Sequence, residues 1–332
     1  MTRRIAFVTG GAGFIGSNIV AKLAEDPTLD VVVCDWLAEA ELGKWRNIAK
    51  HPIGDFVAPE DMFEWLEKRW RDIEIVIHMG AISSTTEPDA DKIIHNNFTL
   101  SRDLFRWCAD RQRRFIYASS AATYGDAVDF DDKDDFQSLA ALRPLNAYGW
   151  SKSLFDLFAA RQAARDYAPP QWVGLKFFNV YGPNEEHKHS MKSVASQIWP
   201  KVAGGQTVQL FKSYREGIAD GGQTRDFVYV RDVADVVAWL NASEQVNGVY
   251  NLGSGTARTF EDMAKAVFAA AGKPAKIEYT PMPPAIRDKY QYFTEAKMDR
   301  LKAAGFNQPM TALEDGITDY VCNYLSQPDP YR

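Results

Sequence analysis

Arg4–Asp26, RIAFVTGGAGFIGSNIVAKLAED, is the stretch on which the fold turns. Ile5 to Val8 is an unbroken apolar run of strand length, and from Ile15 to Leu23 the apolar residues recur at helical spacing. Gly10, Gly11 and Gly13 stand between them, and Gly16 follows just inside the second. The first of the spaced glycines accommodates a tight turn, and the later ones let a pyrophosphate and the sheet approach the helix backbone. Free amides and the dipole at that helix start favour phosphate. A glycine triplet alone also suits a purely structural turn. Its context favours dinucleotide binding, because a strand precedes it, a helix follows, and Asp35 closes the next β-rich run, DVVVCD.

Working outward, IEIVIHMG, RFIYASS and PQWVGLKFFN are further strands. The segments 90–111, carrying Ile94, Phe98, Leu104, Phe105 and Trp107, and 151–168, carrying Leu154, Phe155, Phe158 and Ala159, are amphipathic crossover helices. The alternation predicts an α/β fold, a Rossmann-like doubly wound parallel sheet covered on both faces, with ligand loops at the strand carboxyl ends. After Gly182-Pro183 the chain becomes polar and glycine-interrupted, with a helix expected over Ser190–Val202. The compact strand and helix style returns at FVYVRDVADVVAWLN, and the tail carries a helix, a short strand at Ile277–Tyr279 and two short helices. This predicts a cofactor domain over 1–181 and 227–258, and a smaller mixed α/β substrate domain over 182–226 and 259–332. The acidic run Asp129–Asp135 is expected to be a solvated loop, since it lacks the spaced glycine and terminal glutamate of a calcium loop.

The bulk properties narrow the function classes. With 332 residues, 46% hydrophobic and 25% charged, the chain is long and apolar enough for a sizeable core. Lys and Arg number 38 against 44 Asp and Glu, and the net charge of -6 argues against nucleic-acid partners. Cys34, Cys108 and Cys322 are too scattered for a disulfide framework or metal cluster, and His51, His78 and His95 share no metal-ligand spacing, so no metal is expected. No signal-like h-region opens the sequence and no stretch reaches eighteen apolar residues, which points to the cytoplasm and away from membranes.

The chemistry concentrates at Ser120, Tyr148 and Lys152. Tyr148 and Lys152 stand four apart at the start of an amphipathic segment, so their side chains share a helix face. A phenol ordinarily titrates near ~10, and an adjacent ammonium favours its ionised form as a proton acceptor. Ser120, at the end of RFIYASS, is placed to hydrogen-bond a substrate oxygen. Gly80 and Ala81 are small residues at a strand end, suited to close approach of the dinucleotide, whereas His78 is expected to be packed within its strand. Asp35 suits an adenosine ribose and by itself favours NAD, while Lys44 and Arg46 offer cations for a 2′-phosphate.

Through TGGAGFIG, ASSAATYG, YGWSK and FFNVYGP the sequence resembles the extended short-chain dehydrogenase/reductase family over nearly its whole length. Within it, GAISSTTE, NNF, FFNVYGPNEEHKHSM, RDFVYVRDVADV and YQYFTEA resemble the epimerases acting at C6 of an ADP-linked heptose of the bacterial lipopolysaccharide core. The resemblance implies ADP-D-glycero-D-manno-heptose and its L-glycero epimer as substrate and product, inverted through a transient 6-ketone. It implies Tyr148 and Lys188 as proton-transfer groups on the two faces, although composition alone makes Lys188 a solvated loop lysine. It implies cofactor contacts from Gly10, Gly11, Gly13, Phe14, Ile15, Gly16, Asp35, Trp36, Lys44, Met79, Gly80, Ala81, Ile82, Ser83, Asn96, Lys152, Val180 and Lys188. Substrate contacts are implied for Asn179, Ser190, Gln197, Phe211, Lys212, Ser213, Tyr214, Arg225 and Tyr290, with Arg231, Arg287 and Lys289 either adding to the field or simply solvated. Gln197 stands where the family has a histidine, and Pro59 where it has a lysine near the cofactor phosphate. NADP is the expected cofactor, with NAD the second choice. A homo-oligomer, such as a pentamer, is implied by the resemblance alone.

Other functions remain in view at this stage. A hexose 4-epimerase would keep Ser120, Tyr148 and Lys152 but not the Lys188 region. A dehydratase needs an extra acid/base pair where Ala121 and Ala122 stand, a net dehydrogenase would accumulate reduced cofactor, and a cofactor-binding sensor would need neither Tyr148 nor Lys188.

Overall fold

A computed structural model describes residues 4–37, 43–85, 87–287 and 290–332. The chain opens with β1 (Arg4–Thr9), α1 (Phe14–Leu23), β2 (Leu29–Cys34), β3 (Asp55–Val57), α2 (Met62–Arg69) and β4 (Ile73–His78). It crosses over through α3 (Ala90–Ile94), a wide π turn at His95–Thr99 and α4 (Leu100–Arg111) to β5 (Arg114–Ser120), then through α5 (Phe136–Ala141) and α6 (Ala147–Ala163) to β6 (Trp172–Phe177). The remainder runs β7 (Asn179–Tyr181), α7 (Val194–Ala203), β8 (Val208–Phe211), β9 (Thr224–Tyr229), α8 (Val230–Ala242), β10 (Gly248–Leu252), β11 (Ala257–Thr259), α9 (Phe260–Ala270), β12 (Ile277–Thr280), α10 (Pro284–Arg287), α11 (Asp299–Ala303) and α12 (Leu313–Tyr320).

Seven strands form one parallel sheet in the order β10-β6-β5-β4-β1-β2-β3. The strands read as continuous apolar runs because both faces are covered. Along β1, Ala6 and Val8 join one core cluster while Ile5 and Phe7 join the cluster on the other face. The direction of winding reverses between β1 and β4, and the crevice beyond their carboxyl ends is where such sheets bind ligands.

A three-stranded sheet β11-β9-β7 and a parallel pair β12-β8 make up the smaller β-structure, packed on a third cluster from α7, α9 and α12. The small sheet joins β7 and β9, which lie at the joints of the two-domain division drawn above.

Three local expectations change. The helix expected over Ser190–Val202 begins only at Val194, capped by the Ser193 hydroxyl, and is preceded by tight turns at Glu186–Met191 that break at His189, whose φ is 49°. The run Asp129–Asp135 is not simply solvated. The Asp132 carboxylate is buried and accepts the Asn251 amide, Asp134 accepts the Val249 amide and pairs with Arg300, and Asp135 caps α5. Strand β10 closes one edge of the large sheet, and these carboxylates take up backbone donors that a further strand would otherwise satisfy. Finally, β3 and α2 escaped the sequence reading.

Candidate active site

The glycine turn is shaped by contacts that leave no room for a side chain. Gly10 has φ +64°, and a Cβ there would meet the Gly80 backbone nitrogen at 2.6 Å, so the turn after β1 and the loop after β4 touch. A Cβ on Gly16 would strike the Gly10 carbonyl oxygen at 2.1 Å. Gly13 sits at the N-cap of α1, where no side chain caps the helix. An uncapped helix start facing a crevice floored by Gly10 and Gly80 fits a pyrophosphate. At the end of β2, the Asp35 carboxylate accepts the Ala12 amide at 3.0 Å and the Trp36 amide at 2.8 Å. Lys44 donates to Asp35 at 2.6 Å and to the Trp36 carbonyl at 2.8 Å, so the ribose-site anion has a cation attached to it. Trp36 is otherwise exposed and donates its indole N–H to Glu60.

Met79, Gly80, Ala81, Ile82 and Ser83 form the loop after β4. It is held by Asn97, a residue the sequence reading passed over. The Asn97 amide donates to the Ile82 carbonyl and to Ser151, and its oxygen accepts the Ile82 amide. Its neighbour Asn96 turns back on its own helix to the Lys92 carbonyl. The NNF motif was visible, but which asparagine faces inward is decided by the wide turn at His95–Thr99. His78 is packed as expected, between Thr9 and Ser101, and burial depresses its basicity to about 3.

Ser120 ends β5, and its hydroxyl accepts the Ala122 amide at 3.1 Å and stands near enough to the Tyr148 phenol to favour its ionised form. Asn146 caps α6 by accepting the Gly149 amide, which sets Tyr148 in the first turn and Lys152 one turn later. Burial raises the Tyr148 phenol, and Ser120 opposes that effect. Burial also pushes the Lys152 ammonium down to about 8, while Asp156 opposes it, and Lys152 donates to the Ala118 carbonyl at 2.7 Å. In the chain alone, desolvation therefore outweighs the activating charge inferred from the four-residue spacing. Beneath this pair lies a second group the sequence reading missed. Asp156 and Lys176 form a buried ion pair at 2.7 Å, and Asp156 also accepts from Tyr117 and Ser119.

Lys188 is not a solvated loop residue. Its amine lies 4.7 Å from the centroid of the Phe14 ring, and burial lowers its basicity. The adjoining His187 reaches Asn47, whose amide also donates to the Ala12 carbonyl of the glycine turn. Ser190 and Gln197 are tied together, with the Gln197 amide donating to the Ser190 and Lys192 carbonyls. Asn179 and Val180 are carried on β7, with Asn179 exposed.

The third cluster lies on the smaller β-structure. Tyr290 stands edge-on to Phe211 at 6.4 Å and to Tyr292 at 5.8 Å, and the Arg225 guanidinium lies 5.2 Å from the Tyr290 ring. Arg287 lies 3.8 Å above the ring of Tyr214, whose amide donates to the Tyr292 hydroxyl. Tyr214, Arg215, Arg287, Tyr290 and Tyr292 line a cavity of about 270 Å³. Lys212 and Ser213 shape the adjoining chain, their amides donating to the Thr280 carbonyl and the Asp220 carboxylate. Arg231 is committed to Tyr324 and Asp319, and Lys289 lies outside the described residues.

A phosphate-ready turn, a Ser–Tyr–Lys group and a cavity lined by rings and guanidinium groups fit a dinucleotide-dependent enzyme. The chain belongs to the NAD dependent epimerase/dehydratase family, whose model matches residues 6–253. It is 47% identical over 328 residues, 98% of this chain and 99% of the relative, to a Nitratidesulfovibrio vulgaris protein named ADP-L-glycero-D-manno-heptose-6-epimerase. A Fusobacterium nucleatum protein of the same name is 44% identical over 98% of this chain and 99% of its own length. Among solved structures, the Helicobacter pylori ADP-L-glycero-D-manno-heptose-6-epimerase superposes with a TM-score of 0.81 at 27% identity, covering 97% of this chain and 96% of that one. Thermus thermophilus UDP-glucose 4-epimerase, solved with NAD, gives 0.70 at 27% identity over 95% and 96%.

Proposed function

We propose that the protein interconverts ADP-D-glycero-D-manno-heptose and its L-glycero epimer at C6. The observation that carries the reading is that Tyr148 and Lys188 come from two independent elements, α6 and the Glu186–Met191 turns. Tyr148 comes from α6, with the Ser120 hydroxyl near its phenol, and Lys188 from the Glu186–Met191 turns, resting on Phe14 at the head of α1. C6 of this heptose bears no adjacent carbonyl to acidify its hydrogen, so direct deprotonation is costly. A nicotinamide cofactor held by the glycine turn, Asp35 and the loop after β4 would supply the hydride acceptor and donor for C6.

The chain's own residues do the rest. Tyr148 and Lys188 exchange the C6 hydroxyl proton, one on each face of the planar 6-ketone, and Ser120 hydrogen-bonds the same oxygen. Burial lowers the basicity of Lys188, which makes its ammonium a readier proton donor. Arg225, Arg287, Tyr214 and Tyr290 hold the ADP end, where planar guanidinium groups meet phosphate oxygens and rings meet the base. Asn179, Ser190 and Gln197 contact the sugar. The glycine turn, Asp35, Lys44, the loop after β4, Asn96 and Val180 hold the dinucleotide.

NADP is the proposed form. The Lys44 amine on Asp35 offsets the carboxylate that would otherwise repel a 2′-phosphate. NAD is the alternative, since Asp35 keeps the ribose-binding position. We place the enzyme in the cytoplasm as a homo-oligomer. No helix among the described residues is long and apolar enough to cross a membrane. Incubation of the purified protein with ADP-D-glycero-D-manno-heptose, followed by chromatographic resolution of the C6 epimers, tests the assignment. Conversion to an equilibrium mixture supports it. Inertness of the folded, cofactor-loaded protein, with turnover of a UDP-hexose instead, contradicts it.

A further inference from the structure

Asn47 is fully buried at the end of the short turn Lys44–Asn47, and its side chain joins two loops remote in sequence. Its amide nitrogen donates to the Ala12 carbonyl of the glycine turn at 2.8 Å and lies 3.1 Å from Nδ1 of His187, the residue before Lys188. A primary amide carries two hydrogens, one for each of these partners. The Ala12 carbonyl accepts only, which fixes the orientation of the amide, so His187 Nδ1 is the acceptor and the ring proton sits on Nε2. Burial pulls the basicity of the His187 ring down to about 4, so near neutrality the ring is uncharged and keeps that acceptor.

Both ends of this link bear on the site. Ala12 stands inside the glycine turn, and its own amide donates to Asp35 at 3.0 Å, so Asp35 and Asn47 hold it from its two sides. The turn that ends at Asn47 begins at Lys44, which also donates to Asp35. At the other end, the chain leading to Lys188 is laid along α1. Asn18 donates to the Pro183 carbonyl at 3.0 Å, Asn184 donates to the Ser17 hydroxyl at 3.0 Å, and the Lys188 amine lies on the Phe14 ring. Asn184 also donates to the Asn47 backbone carbonyl at 3.3 Å. Glu185 and Glu186, by contrast, turn to the opposite side of the loop, to Ser193 and Tyr320 and to Lys192. His187 therefore carries the tie toward the cofactor side at the residue next to the amine.

We propose that Asn47 is the positioning residue for Lys188: its amide fastens the His187 ring, and with it the turn that presents the amine, to the glycine turn. This rests on Lys188 acting as the second proton-transfer group and on the glycine turn holding the dinucleotide. The glycine turn and Lys188 must serve one carbon, so the spacing of the two loops governs the rate, and one buried amide bonded to both sets that spacing.

The test uses the full, cofactor-loaded chain. His187→Ala removes the acceptor and leaves Ala12 its bond to Asn47. It is expected to lower kcat for epimerisation about 10- to 100-fold, with KM and dinucleotide affinity nearly unchanged. His187→Asn, whose side-chain oxygen can accept the same N–H, should recover most of the rate. In crystals of the His187→Ala protein the Lys188 amine should have left the Phe14 ring while Ser120 and Tyr148 keep their places. A wild-type rate, no recovery by His187→Asn, or an amine still seated on Phe14 overturns the proposal.

Asn47→Ala removes both bonds. It should lower kcat by the same factor and also weaken dinucleotide binding about tenfold. Adding His187→Ala to it should slow the reaction no further, since both act on one link, and losses that multiply overturn the proposal. Should Asn47→Ala fail to fold, the His187 variants decide alone. Lys188→Met, measured first, separates the underlying reading. Wild-type epimerisation by that variant would remove the role of Lys188 itself, whereas activity lost there but kept in His187→Ala removes only the proposal for Asn47.

Discussion

The Lys188 amine rests 4.7 Å from the centroid of the Phe14 ring, so a residue from the most polar loop of the chain is seated on the first residue of the helix that follows the glycine turn. Tyr148 is carried on a different element, the first turn of α6, with the Ser120 hydroxyl near its phenol. An epimerase that oxidises and re-reduces one carbon needs proton transfer at two faces, and the proposed reading assigns that work to these two groups.

Tyr148→Phe removes the phenolic proton carrier and Lys188→Met removes the amine while keeping its stem. Each is expected to lower epimerisation by about 10²–10⁴-fold with the fold and dinucleotide binding intact. With the 6-aldehyde analogue, at least one single variant should still dismute while the double variant should not. Wild-type epimerisation by either single variant would remove that residue from the mechanism.

The Asp35–Lys44 pair predicts the cofactor. Denaturing the purified protein should release NADP, identified by mass, and Lys44→Met should weaken NADP about tenfold while leaving NAD nearly unchanged. Stoichiometric NAD in the released fraction, with no NADP binding to the apoprotein, contradicts the assignment.

Arg225 is buried against Tyr290 and Phe260 and donates through one Nη to the Thr224 carbonyl, and its other N–H groups are the donors proposed for a phosphate. Arg225→Ala should lower kcat/KM by about 10–100-fold, as expected for loss of one charge-assisted contact of ~1.5–3 kcal/mol. ADP should also compete more weakly. Unchanged kinetics together with unchanged ADP competition would contradict the role.

Lys152 links stability to pH. Its ammonium is held at about 8, against 10.5 in the unfolded chain, so between those values the unfolded state binds more protons and stability rises with pH. Lys152→Met abolishes this dependence. In urea titrations of apoprotein the variant's advantage over wild type should shrink by up to about 3 kcal/mol from pH 8 to pH 10.5. A difference between the two proteins that does not change with pH would show that Lys152 is not held neutral by burial.

The sheet and the glycine turn were legible because their determinants are local. Apolar runs mark β1, β4, β5 and β6, and spaced glycines mark a turn whose tolerance is set by atoms within a few ångströms, such as Gly10 against Gly80. Strand β3 spans only three residues, two of them exposed, and pairs because β2 offers it an edge. The supports of the site were hidden for the same reason. Asn97 on Ile82, Asp156 on Lys176 and Glu185 on Tyr320 each join positions remote in sequence, and their carboxylates and amides look like ordinary polar residues until the chain closes around them. Likewise the Asp129–Asp135 run reads as solvated because nothing local reveals the β10 edge it covers.

The central claim is that C6 is inverted by internal return of the same hydride. Converting ADP-D-glycero-D-manno-heptose in D₂O and reading C6 of the product by NMR tests it most directly. The account predicts an L-glycero product that retains its original hydrogen at C6, with no net accumulation of reduced cofactor. Solvent deuterium at C6, accumulating in step with epimerisation, would contradict it.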